Sequence, residues 1–355
     1  MNPLNNNFQG QIEAAAPGKM ILFGEHFVVY GYPSLIASID KFFKVKIDFT
    51  PSTIHEIKIK SNLGFSATIR NSALYFPPGR DTTYDEIIKK LYSVIQYLTK
   101  HIGIDVRSNS NIVIRLDSGI PLGGGLGSSS AFCVALTGAL YHLLENTVNK
   151  NKICYESINA EKILNRDTSG ADCNICTFGG LGRFDRLNGF KRISADFGNY
   201  RFLIINSGVS HDTFSMVEKV AKIKNNFPDD FNKLCIKYQE IYNQVTNLLG
   251  HKDLEQIGEL FNRNHELLDS LSLSSPMLNK IINICNSEGS LGTKITGAGG
   301  GGSVLSFLHK DDHSVIKNIL KRLELLNLKY FFAKIDPEGL RINHTTPNPS
   351  NTFGP

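Results

Sequence analysis

Apolar and polar residues alternate along Lys44 to Thr50 and His55 to Lys60, with Pro51-Ser52-Thr53 between them. That pattern predicts a half-buried antiparallel pair of strands joined by a turn. Asp85 to His101 carries Ile88, Leu91, Tyr92, Ile95 and Leu98 at helical spacing. Asn111 to Leu116 reads as a further strand, Ser118-Gly119-Ile120-Pro121 as a turn, and Ser128 to Leu144 as an apolar helix. In the second half, Phe202 to Asn206 reads as a buried strand. Helices are predicted from about Thr213, over Phe231–Leu249, over Leu254–Ser270 and over about His313–Leu326. Ser303–Leu308 and Tyr330–Ile335 complete the predicted strands. Asn343 onward is Asn, Thr, Pro and Ser, too polar to bury a core, and reads as a loose tail.

No repeat with a period of 20–50 residues is present, which excludes solenoids and propellers. The mixed order of strands and helices points to an α+β chain whose halves divide near residues 186–200. A length of 355 residues suits two domains. No apolar run approaches the ~18 residues needed to cross a bilayer, and the first ten residues lack a secretory pattern. A cytoplasmic protein without a membrane partner is expected. Lys plus Arg outnumber Asp plus Glu by 38 to 33, with no basic block, so nucleic acid is not indicated; an anionic small-molecule substrate would suit that balance equally well.

The six cysteines are scattered, as reduced thiols would be. Cys173 and Cys176 form a C-x-x-C pair without the second ligand pair that structural zinc requires, so coincidence is the better reading.

Candidate chemistry gathers in three segments. Pro121-Leu122-Gly123-Gly124-Gly125-Leu126-Gly127-Ser128-Ser129-Ser130 lies between a strand and a helix. Glycines let backbone N–H groups close around an anion, and the helix adds its unpaired N–H groups and the positive end of its dipole. This is what a triphosphate needs, with serine hydroxyls available to phosphate or Mg²⁺. It is neither a Walker A loop nor a dinucleotide fingerprint. The plain alternative is a glycine turn ending in a serine cap. A second cluster, Lys294 to Ser303, contains Gly297, Ala298 and Gly299 and suggests a cleft approached by two backbones; its plain reading is a tight strand entry. In the third segment, Ala16 to Gly31, Lys19, Glu25 and His26 are embedded in apolar strand-like sequence. Charges there are costly unless paired or used, although a single histidine is usually a satisfied core residue.

Together these segments resemble, in order and spacing, the three signature motifs of the GHMP small-molecule kinases. Pro17-Gly18-Lys19 with Gly24-Glu25-His26-Phe27-Val28-Val29-Tyr30-Gly31 is most similar to the mevalonate kinase group. A fourth segment, Ser169-Gly170-Ala171-Asp172-Cys173-Asn174, resembles the stretch that carries the catalytic aspartate. The resemblance extends from about residue 13 to Ile342. It implies a two-domain α+β fold, with a ribosomal-protein-S5-like N-terminal domain over residues 10–190, a ferredoxin-like C-terminal domain over 191–342, and a tail over 343–355. The active site would lie in the cleft between the domains.

The implied activity is ATP-dependent phosphorylation of the primary C5 hydroxyl of mevalonate, with Mg²⁺. Asp172 and Lys19 would be catalytic, and Ser129 and Glu161 metal ligands. ATP would be bound by Pro121, Gly123, Gly124, Gly125, Leu126, Gly127, Ser128 and Ser129. Lys19, Glu25, His26, Asp172, Thr213, Gly297, Ala298 and Gly299 would contact the substrate. Arg183 is a candidate for the substrate carboxylate, with an ordinary exposed arginine as the alternative. Homodimers are common in the family. Glu25-His26-Phe27-Val28-Val29 lacks the Glu-His-Thr-Asp-Tyr of galactokinases. The competing readings are a kinase of phosphomevalonate or another hydroxy acid, and a homologue that binds ligand without transferring phosphate.

Overall fold

The computed structural model describes residues 10–52, 56–70, 73–78, 82–103, 110–121, 123–165, 168–210, 212–251 and 254–345. The chain opens with strands β1 (Gly10–Phe23), β2 (Ser34–Pro51), β3 (Glu56–Ser61), β4 (Ser66–Arg70) and β5 (Ala73–Tyr75). Helix α1 (Asp85–Ile102), strand β6 (Ser110–Ser118) and helices α2 (Ser128–Glu145), α3 (Lys150–Leu164) and α4 (Ala171–Phe178) follow, then the hairpin β7 (Leu181–Asp185) and β8 (Gly189–Ile193). Beyond it come β9 (Tyr200–Asn206), α5 (Thr213–Asn226), α6 (Pro228–Leu248), α7 (Gln256–Ser270) and α8 (Pro276–Ser287). The chain finishes with β10 (Gly292–Thr296), β11 (Ser303–His309), α9 (His313–Leu325), β12 (Lys329–Ala333) and β13 (Arg341–Thr345).

The first sheet has the order β13–β1–β2–β6–β3–β4–β5, with the β7–β8 hairpin attached to the early part of β2. The expected direct pairing of Lys44–Thr50 with the strand after the turn is not what forms, and His55 lies outside the described residues. Strand β6 is inserted between β2 and β3, antiparallel to one and parallel to the other. Ile114 of β6 is flanked in register by Ile47 and Ile59, all three buried. Alternation marks a strand and its buried face but is silent on which neighbour takes the adjacent slot. The second sheet, β10–β11–β9–β12, is antiparallel throughout.

Helix α2 explains its unbroken apolar run by its place: every residue from Ser130 to Tyr141 is buried. A helix apolar all round belongs in the middle of a core. It packs against β1, β2, α3 and α4, and Gly138 leaves room for Leu340, whose Cδ2 would lie 3.0 Å from a Cβ there. The expected tail from Asn343 begins late, because residues 343–345 belong to β13 and pair with β1, Glu13 opposite Asn343 and Gln11 opposite Thr345. The rest of that expected tail, 346–355, lies outside the described residues.

The two sheets meet through aromatic and backbone contacts. Phe27 stacks on Tyr238 of α6 with centroids 4.3 Å apart, Phe23 meets Phe261 of α7 at 5.1 Å, and Ile39 bridges to Ile335. Among the described residues, no helix is long and apolar enough to cross a membrane.

Candidate active site

Strand β6 delivers the chain to the first glycine loop. Ile120 and Leu126 are buried and anchor it at both ends, while Gly123, Gly125 and Gly127 take positive φ. Leu122 lies outside the described residues; Pro121 is half-buried. The backbone N–H of Lys19 donates to the Leu126 carbonyl at 2.9 Å. A Cβ on Gly127 would sit 2.7 Å from Lys19 Cγ, so the loop can lie against the lysine stem only with glycine there.

Helix α2 starts at Ser128 with Gly127 as its N-cap, left-handed and without a side-chain cap. The serine-cap alternative is thereby excluded: no side chain stoppers the first-turn N–H groups, which is the arrangement an anion exploits. The three serines diverge. Ser128 is half-buried, Ser129 Oγ accepts from Asn165 Nδ2 at 3.4 Å, and Ser130 is buried and donates to Glu161.

Lys19 on β1 and Asp172 in the first turn of α4 form an ion pair, Nζ to Oδ2 3.1 Å. The lysine side chain is 6% exposed and the aspartate 32%, so the carboxylate is the member open to a ligand. Glu161 on α3 is buried behind them. Its carboxylate accepts from Ser130, from Thr168 Oγ1 at 2.6 Å and from the Cys173 thiol at 3.4 Å. Burial first, and the nearby Asp172 charge second, raise its pKa above the ordinary carboxylate value, against those hydrogen bonds. Two carboxylates and serine and threonine hydroxyls make a hard oxygen donor set. That fits Mg²⁺, which keeps several waters and takes one or two carboxylates plus phosphate oxygens. Ser130, not Ser129, holds Glu161 in this structure; helical position on α2 decides which serine faces inward, and a run of three conceals it. Cys173 and Cys176 lie on the buried side of α4, where burial pushes both thiols well up.

The second glycine loop is the β10–β11 turn, and it touches the first. A Cβ on Gly297 would lie 3.2 Å from Gly125 Cα, and one on Gly124 would lie 3.0 Å from Ser303 Oγ. Thr296 Oγ1 accepts from the Ile21 N–H at 3.0 Å, tying the loop to β1. His26, at φ 61°, donates from Nε2 to the Ala298 carbonyl at 2.8 Å. Burial lowers its pKa, the Ala298 bond opposing, which favours the neutral ring.

Glu25 is engaged inside the protein. It pairs with Lys294, both side chains fully buried, and Asn264 Nδ2 donates to its other oxygen at 3.3 Å. Lys294 also donates to the Ile295 carbonyl at 2.7 Å, and burial lowers its pKa while Glu25 holds it up. Lys294 and Asn264 were not among the sequence candidates, because their partner lies more than 200 residues away in the chain.

Thr213 is exposed at the start of α5, whose N-cap Asp212 accepts from the N–H groups of Phe214 and Ser215. Among the described residues no hydrogen bond joins Thr213 to the Lys19–Asp172 pair; the helix reaches the second loop through Met216, close to Gly300. Arg183 is paired with Asp185 at 3.3 Å over the Tyr242 ring.

The family signature "GHMP kinases N terminal domain" matches residues 87–180, and "GHMP kinases C terminal" matches residues 246–324. A mevalonate kinase of Methanothermobacter thermautotrophicus is 34% identical over 293 residues, 82% of this chain and 89% of the relative. The Methanococcus jannaschii mevalonate kinase structure superposes with a TM-score of 0.77 at 26% identity, covering 94% of this chain and all of the other. The L. major mevalonate kinase solved with R-mevalonate gives 0.79 at 24% identity, covering 94% and 98%, and shows the shared fold. The two-sheet architecture, the paired glycine loops and these likenesses place the chain in the GHMP kinases, within the mevalonate kinase family.

Proposed function

We propose that the chain transfers the γ-phosphoryl group of ATP to the C5 hydroxyl of mevalonate, in a cleft between domains spanning residues 10–190 and 191–342. The observation that carries the reading is the Lys19–Asp172 pair beside an uncapped helix N-terminus. One element binds phosphate, and the other faces a hydroxyl.

Phosphoryl transfer has a loose transition state, so positioning and charge stabilisation dominate. In this reading the amides from Gly123 to Ser129 hold the phosphates, with Pro121 and Leu126 fixing the loop. Asp172 orients the mevalonate hydroxyl and accepts its proton as the oxygen–phosphorus bond forms and the bond to ADP breaks. Lys19 neutralises charge on the entering oxygen and keeps Asp172 aimed. Glu161, with Ser129 or Ser130, would hold Mg²⁺, which when bound neutralises the phosphate oxygens. His26 shapes the mevalonate side through Ala298, with Gly297 and Gly299 as wall. Glu25 acts there through Lys294, and Thr213 is assigned to the rim.

The test is ADP release with mevalonate, phosphomevalonate and galactose supplied separately. Turnover is expected with mevalonate alone; turnover with another alcohol would move the substrate, and none from ATP-binding protein would remove the enzyme. Asp172→Asn is expected to retain ATP binding and lose roughly 10²–10⁴-fold in turnover. Near-normal turnover would refute its role.

A further inference from the structure

A second concavity, of about 960 Å³, is walled by Asn174 and Phe178 of α4, Phe190 and Arg192 of β8, Lys150 at the start of α3 and the segment entering β13. It shares no residue with the site described above. Its cations are arranged unusually. Arg341 is neutralised by Asp336 and Glu338. Lys150 Nζ and Arg192 Nη2 instead donate to the backbone carbonyls of Glu338 and Pro337, each at 2.6 Å. Among the described residues, neither has a carboxylate within ion-pair distance. Burial first, then the nearby Arg192, lower the Lys150 pKa, with the more distant Asp336 and Glu338 charges opposing, so two like charges are held together and partly desolvated.

The adjoining cavity, of about 720 Å³, shares Arg192 and Pro337 and adds Arg201, Lys310 and Lys334 to the wall, with no carboxylate in its lining. A surface of one sign focuses its field on a counter-charge. In the same wall as Lys150 and Arg192, Phe178 and Phe190 stack with centroids 5.8 Å apart and planes 17° apart, both half-buried. Aromatic faces beside paired cations suit a ring that carries a dianion.

We infer that this groove is a second ligand site, for a phosphate monoester carried on a flat ring, with the phosphate on Lys150 and Arg192 and the ring against Phe178 and Phe190. The occupant lies on the same helix as Asp172, since Asn174 and Phe178 follow it by two and six residues. It does not compete with substrates for the glycine loops.

The probe is phenyl phosphate, titrated calorimetrically into the full chain saturated with Mg²⁺–ADP and mevalonate so that the catalytic phosphate site is filled. One-site binding is expected to persist, with inorganic phosphate and phenol each at least tenfold weaker. Lys150→Gln with Arg192→Gln is expected to weaken phenyl phosphate at least tenfold and leave basal turnover unchanged. Because Arg192 also holds the Pro337 carbonyl, Lys150→Gln alone serves as the second variant, with at least a threefold loss expected. Binding that vanishes when the catalytic site is filled, or that survives unchanged in folded Lys150→Gln, overturns the inference. The result is independent of which alcohol the enzyme phosphorylates.

Discussion

Glu161 shows what single residues contribute to a site that must be empty and full by turns. Its pKa is raised by burial and by Asp172, so the folded chain binds a proton there more tightly than the unfolded chain does. A raised carboxyl favours the fold fully below the ordinary value, about 4.3, and that contribution is lost as pH climbs through the folded value. Glu161→Gln is therefore expected to melt above the native chain at pH 8 without Mg²⁺ or nucleotide. The difference should shrink to nothing below about pH 4, where both states carry the proton. Mg²⁺–ATP should narrow it, and turnover should fall at least ~10–100-fold, the effect typical of losing even an outer partner of a metal. A variant that melts lower at pH 8 would show the carboxylate to be satisfied without metal. Lys19 and Asp172 were legible in the sequence because each stands in a recognisable local motif. The Ser130–Glu161 hydrogen bond was not, since it depends on a helical phase that adjacent identical residues cannot display.

At the scale of elements, the two glycine loops approach so closely that a Cβ at Gly125 would lie 3.2 Å from the Thr296 carbonyl oxygen and one at Gly297 3.2 Å from Gly125 Cα, tighter than ordinary contact. The Glu25–Lys294 pair lies beneath this contact and joins the turn after β1 to β10. Removing one partner of a buried ion pair strands a charge and costs ~3–5 kcal/mol, whereas replacing both by uncharged groups recovers much of that. Lys294→Met is thus expected to destabilise by that amount in urea. Glu25→Gln with Lys294→Met should recover at least a third of it, Asn264 remaining as partner for the amide. Equal losses in the single and double variants would mean that the charges are uncoupled. Helices α1 and α2 were legible from period and from the glycine loop. Helices α3 and α4 were not: α3 carries polar residues around much of its circumference, and α4 is eight residues long. The β2–β6–β3 order was hidden because alternation fixes a strand's face and leaves its neighbours open.

Across the whole molecule, residues 186–200, where the sequence suggested a boundary, span the β7–β8 turn, β8 and the link to β9, along which the chain passes from the first sheet to the second. That reading had no means of finding β13, a polar five-residue strand that returns to the first sheet. Arg341 neutralises buried Asp336 and lies over the Phe42 ring at 4.6 Å, while Ile342 packs beside Gly138. A chain ending at Leu340 is expected to melt roughly 6–12 °C lower, taking about 3 kcal/mol for a stranded buried carboxylate and ~2–4 °C per kcal/mol. An unchanged melting temperature would make β13 dispensable.

The return of β13 also sets a clock on biosynthesis. Gln11 leaves the ribosome more than 300 residues ahead of Thr345, its partner in the sheet. At ~5–20 residues per second, the outer edge of β1 waits about 15–70 s for the strand that covers it. Throughout that interval the nascent chain offers an open ladder, backed by Ile12 and Ala14, to any other strand nearby. Yield in a cell is then governed by elongation rate and chaperone occupancy as much as by the stability of the finished enzyme.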